Sequence, residues 1–450
     1  MTSLAANTPF KSSPKAFAVE QQDLLFPFSA LMFRIGLALV TFEQVRPFFD
    51  IQVSDYFFFV SLLVFLSHPI LRLAKFRGSG ALLAGSLILL GSVLSLLNAT
   101  RLGDAAGPLL RILVLFGLFC PLALVHSRNI RENLRFLVGG IFVNCIITLL
   151  QASILPGIAD VLSINPTKPD ISDIGRFQGL TSHPNIIGLS AALAVMIGIG
   201  LLTLEARKHY QGRLIVVVFV CTLAGLLSGS RAVFVSLIPS LIVFLILQKQ
   251  HRRTVVRALV VLSVLWGALT YVAPAVTSQF SDRFDSTGFD FYSDYGRLWS
   301  AIYAVQEISQ KPIIGWGVDH LDDAGLTEVP GTGEIVGAHN TFLKYWHGAG
   351  LLGALGFLAI FALPMRRMLQ VLKKRPLGTS SDALRLSLSC FLLLFIVSNL
   401  GPFDYNRFLY IPLFSFAGFV VTVWSPTRTH VVVRREGIGG VSYTTNTSIA

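Results

Sequence analysis

Three side chains in this 450-residue sequence have the types and positions to act on an anionic, hydroxyl-bearing substrate. Arg231 follows Ser228-Gly229-Ser230 and opens an apolar run at Ala232. Arg297 closes the segment Asp294-Tyr295-Gly296-Arg297, which the spacing predicts as the first turn of a helix. Unpaired amides and the dipole at a helix N-terminus attract anions, and a guanidinium there adds a planar fork that matches phosphate. Two such ends suit a diphosphate. His339, in Gly337-Ala338-His339-Asn340, starts another apolar run. An imidazole with its ordinary pKa of ~6.5 can accept a proton from a sugar hydroxyl at neutral pH.

Plainer readings stand beside these. Either arginine could anchor its helix at a membrane surface, with Asp294 pairing Arg297 across three residues. A histidine at a helix start often serves as a cap, and His347, two turns on, reads as a packing residue. Gly175-Arg176-Phe177-Gln178-Gly179, followed by Ser182-His183-Pro184-Asn185, offers Arg176 to a glycan or phosphate and Asn185 to substrate, although Ser182 or Asn185 could merely cap the next helix. Ser230 and Asn340, adjoining Arg231 and His339, complete the substrate-binding candidates. Asp319, Asp322 and Asp323 invite a metal assignment, but a solvated acidic loop is the expectation, and no metal or other cofactor is expected.

The elements that hold these groups must be membrane helices. The chain is 53% hydrophobic and 13% charged, which excludes a large extramembrane catalytic domain, a disordered chain and a disulfide scaffold. Cys120, Cys145, Cys221 and Cys390 each sit inside an apolar run and read as small core residues. Apolar runs at 24–42, 55–73, 80–99, 107–125, 136–155, 185–204, 214–228, 232–248, 258–276, 340–363, 385–400 and 407–424 predict twelve transmembrane helices. The fold class expected is an all-α polytopic membrane protein.

Charge then sets the orientation. With both termini in the cytoplasm, the inner tails and loops hold 24 of the 36 Lys and Arg residues but only 6 of the 24 Asp and Glu residues. This bias puts Arg231, Arg297 and His339 all on the outer side. It also assigns the net charge of +12 to the inner membrane surface rather than to nucleic acid. The resulting organisation is a cytoplasmic tail (1–23), spans one to nine (24–276), a long outer loop (277–339), spans ten to twelve (340–424) and a polar, disordered cytoplasmic tail (425–450). Within the long loop, Leu298, Ile302 and Val305 recur at helical spacing, as in a helix lying along the outer interface of the bilayer.

The sequence resembles the bacterial O-antigen ligase and polysaccharide polymerase family of polytopic membrane glycosyltransferases. His339-Asn340, nine residues, Gly350, two residues and Gly353 match the ligase pattern; Arg231 after its Ser-Gly-Ser turn, Tyr295-Gly296-Arg297 and the long loop before the histidine are also family-like. The likeness runs from about Arg176 to Gly353. Val235 stands where the ligase pattern has Leu, four positions after the first Arg, which leaves the branch of the family open. The resemblance implies a GT-C-like fold in the bacterial inner membrane and a metal-independent, inverting transfer of a whole glycan on the periplasmic face. The donor it implies is an undecaprenyl-diphosphate-linked glycan, and the acceptor a sugar hydroxyl on a glycan or on lipid A-core. In that scheme Arg231 and Arg297 hold the diphosphate and His339 takes the acceptor proton. A net acidic outer face leans towards a repeat-unit polymerase, which could work with a chain-length regulator, over a ligase that must approach phosphate-rich lipid A-core.

Two other classes compete. A transporter or flippase of lipid-linked oligosaccharide would account for Arg34, Arg111 and Lys344 inside spans, but paired interrupted helices in matching halves are not evident. A purely structural subunit would tolerate loss of all three site residues.

Overall fold

The computed structural model describes residues 14–47, 51–66, 80–153, 155, 157–163, 177–205, 208–248, 252–272, 289–328, 335–374, 379–401, 403, 405–424, 430–436 and 442–448. Arg176 therefore lies outside the described residues. The helices in chain order are α1 (Pro14–Ala38), α2 (Val53–Leu66), α3 (Ala81–Leu94), α4 (Leu102–Ile112), α5 (Cys120–Val125), α6 (Ile130–Ser153), the short α7 (Ile158–Leu162), α8 (Pro184–Leu204), α9 (Lys208–Leu227) and α10 (Ala232–Leu247). They continue with α11 (Arg252–Val272), α12 (Phe289–Gln310), α13 (Thr341–Lys374), α14 (Thr379–Asn399) and α15 (Arg407–Trp424). Two antiparallel hairpins, β1 (Thr327–Glu328) with β2 (Ile335–Val336) and β3 (His430–Glu436) with β4 (Ser442–Ser448), are the strands among the described residues.

A helix lies over each of the twelve apolar runs. Six helical stretches are long and apolar enough to cross a bilayer: Ala81–Asn98, Leu102–Ser153, Pro184–Leu204, His209–Leu227, Thr341–Lys374 and Ser380–Asn399. Four shorter apolar helices, Phe26–Ala38, Val53–Leu66, Ala232–Leu247 and Arg407–Val423, stand among them. The 52 residues of Leu102–Ser153 would be about 78 Å long if straight, far more than one membrane needs. The 3-10 turn His126–Asn129 divides them, tied by Asn133 Nδ2 donating to the His126 carbonyl at 2.8 Å.

Packing follows composition. α8 is apolar all round and buried along almost its whole length, as expected of a central helix. α3 and α13 make the most extensive helix pair, and small residues let them close up: a Cβ on Gly91 would strike the Ala349 carbonyl and the Gly353 amide, and one on Gly356 would strike Ile88. All four cysteines are buried among apolar neighbours.

Connections meet one another at two ends of the bundle. At one end Glu43 accepts from Ser182 (Oγ, 2.6 Å) and Asn406 (Nδ2, 2.8 Å), Thr100 donates to Asp319, and Thr341 donates to the Gly401 carbonyl (2.9 Å). The α9–α10 turn joins this end, because Gly188 at the start of α8 abuts Ser228 and Ser230. At the other end Arg34 pairs with Glu132, Arg135 with Glu205, and Gln248 Nε2 donates to the Asp382 carbonyl. Arg34, an unexplained charge in the sequence, is thus half of an ion pair.

Three expectations need correction. α12 begins at Phe289, not near Asp294, so Arg297 is the ninth residue of its helix rather than part of the first turn. Gly296 is buried inside the helix. α1 begins at Pro14, ten residues before the expected start of the first span. The tail after Trp424 forms the β3–β4 hairpin rather than staying unstructured, in keeping with the β-branched runs Val431-Val432-Val433 and Thr444-Thr445.

Candidate active site

The long loop returns to the bundle through small residues. Ala304 of α12, Ala324 and Ala338 form a buried cluster, and the Ala338 amide donates to the Ala324 carbonyl at 2.7 Å. Gly325, at φ +65°, lies against the backbone of Ser300, and its amide donates to Glu307 Oε2 at 2.9 Å. These contacts clamp α12 onto the segment that carries His339. Arg297 lies on the clamped helix, and its charge is one cause of the shift in the imidazole. Burial, then Arg297, then Lys344 bring the pKa of His339 down to about 4, so the ring is neutral at pH 7. Its lone pair is available to a proton.

A break in α13 fixes this geometry from the other side. Gly350 has φ +66° in the middle of the helix, and a Cβ there would collide with the Ile313 carbonyl. The loop after α12 is stitched to the break. The Trp316 amide donates to the His347 carbonyl at 2.8 Å, that of Gly317 to Gly348 at 3.2 Å, and that of Leu351 to Ile313 at 3.0 Å. The eleven residues from His339 to Gly350 thus measure about three helical turns from the imidazole to the notch that receives the loop. Gly350→Ala should cost about 1–2 kcal/mol from its left-handed backbone alone, more with the steric clash. A lowered Tm of the detergent-solubilised protein, with transfer activity lost, is the expected result; an unchanged Tm would show that the notch does not anchor the loop.

His347 packs as the sequence suggests: it is buried, stacks on Trp316 at 6.0 Å, and its Nε2 lies 3.4 Å from Glu307 Oε2. Burial raises the Glu307 carboxyl above the usual range, while the Gly325 amide opposes that shift. Glu307 therefore ties α12, α13 and the intervening loop together.

Of the remaining candidates, Arg231 occupies the N-cap position of α10 with Gly229 at φ +62° in the turn before it, as expected. The α9–α10 turn that precedes it abuts Gly188 of α8. Ser230 is buried in that turn. Asn340 Oδ1 accepts from the Leu343 amide at 3.1 Å, which makes Asn340 a cap of α13. The cap of α8 is neither Ser182 nor Asn185: His183 Nδ1 accepts from the Asn185 amide at 3.0 Å, while Ser182 is engaged with Glu43. Arg297, more than two turns inside α12, offers its guanidinium without the free amides of a helix start.

In the acidic loop Asp322 and Asp323 are exposed, as expected, while the Asp319 side chain is not. Asp319 is buried and accepts from the Thr100 amide (2.9 Å) and hydroxyl (3.0 Å). Burial pushes its carboxyl up, but the bonds from Thr100 and Arg101 hold it below the usual range. Asp322 accepts from Lys344 Nζ at 2.8 Å and from the Tyr405 hydroxyl at 3.1 Å, and the Arg111 guanidinium lies over the Tyr405 ring at 5.2 Å. Asp323 is 3.2 Å from His320 Nδ1. Sequence reasoning noted Arg111 and Lys344 only as unexplained intramembrane charges. Their shared carboxylate lies 22 residues from Lys344, and no periodicity signals it.

Residues 214–358 match the family described as O-antigen ligase. That stretch of the chain is similar to this family. That stretch runs from α9 into α13 and includes Arg231, Arg297, His339, Gly350 and Gly353. It leaves out Arg176 and Asn185, as well as Arg111 and Tyr405. No curated protein matches the chain. The similarity to O-antigen ligases over residues 214–358 stands in a chain with six helical stretches long and apolar enough to cross a membrane.

Proposed function

We propose that the chain is a twelve-span glycosyltransferase of the bacterial inner membrane, with both termini in the cytoplasm and its active site facing the periplasm. It transfers an undecaprenyl-diphosphate-linked glycan as a unit to a sugar hydroxyl. Arg297 and Arg231 hold the diphosphate and stabilise its growing charge as the anomeric bond breaks. His339 removes the acceptor proton, and the acceptor oxygen attacks the anomeric carbon from the face opposite the diphosphate, giving inversion. The cationic side chains supply the charge stabilisation that a metal would otherwise provide. The observation that supports this reading is a half-buried His339 at the start of α13, packed through Ala338 against Ala304 of the helix that carries Arg297.

A neutral base with a low pKa has a measurable signature. kcat/KM reports the free enzyme, so it should stay flat from pH 8 to 5 and fall only near pH 4, where His339 takes its own proton. A bound diphosphate adds negative charge and raises the imidazole's proton affinity, so the acid limb of kcat should lie at higher pH than that of kcat/KM. Coincident limbs near pH 6.5 would rule out this environment for the base.

The exposed stripe of Leu298, Ile302 and Val305 on α12 supports placing that helix in the outer bilayer interface. Within the enzyme reading, the acidic outer face favours repeat-unit polymerisation over transfer to lipid A-core. The surface glycan of a deletion strain tests both levels. Single repeat units indicate a polymerase, and full-length polymer left on its carrier indicates a ligase. An unchanged glycan would remove the proposal, as would purified protein that moves lipid-linked oligosaccharide across liposomes without forming glycosidic bonds.

A further inference from the structure

The turn that follows α12, Lys311-Pro312-Ile313-Ile314, points apolar side chains away from the protein: Ile313 is 71% exposed and Ile314 38%. Its backbone is fixed nonetheless. The Lys311 carbonyl accepts from the Gly315 amide at 3.0 Å, that of Pro312 from Trp346 Nε1 at 3.1 Å, and that of Ile313 from the Leu351 amide at 3.0 Å. Asn98 Nδ2 donates to the Gly315 carbonyl at 2.7 Å, and Pro312 has no amide to satisfy. Irregular backbone is tolerated at membrane depth only where the protein itself supplies such partners.

Two spans fix the depth of the turn. Arg366 and Arg367 of α13 belong to the inner side by charge, and about 20 residues of helix cross the hydrocarbon core, so its outer edge falls near Trp346. Gly350 and Leu351, which receive the turn, lie about 6 to 8 Å below that edge. α3 agrees. Gly80 at its start abuts Leu363, near those arginines, and its apolar stretch ends beside Asn98. Leu351, Leu355 and Leu358 of α13 and Leu94 and Leu97 at the end of α3 are exposed, so the isoleucines continue an apolar surface shared with two spans. Trp346 stands at the edge, and the Lys311 ammonium lies 4.1 Å over the Trp316 ring; both residue types anchor proteins at lipid headgroups.

We propose that the Lys311–Ile314 turn inserts Ile313 and Ile314 among the acyl chains of the outer leaflet. The insertion pins the end of α12, and the loop that leads on to His339, at a set depth. Lipid is the occupant rather than a second copy of this chain because the surface is continuous with the flanks of two spans. The inference rests on the outward orientation proposed above, and not on the transfer reaction.

The test uses the full-length protein in liposomes, with Ile313→Cys or Ile314→Cys carrying a polarity-sensitive fluorophore; the four native cysteines are buried. Leu355→Cys serves as the lipid reference and Glu328→Cys, on an exposed strand, as the water reference. Labels at Ile313 and Ile314 should emit at the shorter wavelength of the Leu355 label and resist aqueous iodide. Lipid spin-labelled near the top of its acyl chain should quench them several-fold more than lipid labelled near the chain end. Emission and iodide quenching like those of the Glu328 label would overturn the inference. So would shielding from both quenchers with cross-linking between copies, which would mean a protein partner. Modification of Glu328→Cys by an impermeant maleimide in spheroplasts checks the orientation separately. A site shielded there would sink the outer-leaflet assignment through the topology, even with both isoleucine labels in lipid.

Discussion

Replacing His339 with alanine should lower kcat by about a hundred- to ten-thousandfold, the range expected when a general base is lost. The imidazole is positioned from three directions. The alanine cluster draws α12 against its backbone, the cap at Asn340 starts the helix beneath it, and the Gly350 notch fixes that helix against the returning loop. Because these contacts involve backbone or neighbouring side chains, the alanine variant should fold as the parent does. Its loss should therefore appear in kcat with an unchanged Tm. A variant within a factor of a few of wild type would show that the acceptor hydroxyl finds its base elsewhere.

Arg297→Ala is the second large effect. Losing a donor to developing charge costs roughly 3 to 4 kcal/mol, or about a hundred- to thousandfold in rate. Arg297→Lys should also be impaired, because a single ammonium cannot reproduce the planar fork on phosphate. The variants should differ from wild type in pH dependence too. Arg297 is one of two cations that hold the His339 pKa down, so Arg297→Ala should raise the acid limb of kcat/KM while Arg297→Lys leaves it near pH 4. Transfer assays across pH on purified protein separate the two effects. If Arg297→Lys retained full turnover, a simple point charge would suffice and the diphosphate clamp would be wrong.

The apolar runs marked the helices well because span length and hydrophobicity are local properties, and charge asymmetry separated the connections that contact one another at opposite ends. The same local logic misjudged α12. The segment Asp294–Arg297 reads as a first turn, yet in the folded chain the helix has already run for five residues before Asp294. His339 and Arg297 are recognisable by residue type and motif, but the packing of their two segments through Ala304, Ala324 and Ala338 across the loop leaves no periodic trace. The roles of Lys344 and Arg111 were hidden for a related reason. Each is one charge in an apolar run, and the groups that explain them, Asp322 and Tyr405, lie on distant connections. The motif glycine Gly350 was visible as a pattern, but its function as a notch for the loop after α12 appears only in three dimensions.

The central claim is that Arg297 and His339 form one donor site, and a double-mutant cycle on kcat/KM for glycan transfer by the purified protein tests it most directly. Residues that act as a unit are strongly non-additive, so the Arg297→Ala, His339→Ala double variant should be little slower than the worse single variant. Losses that multiply in full would mean that the two side chains act independently, and the proposed site would not exist as a single centre.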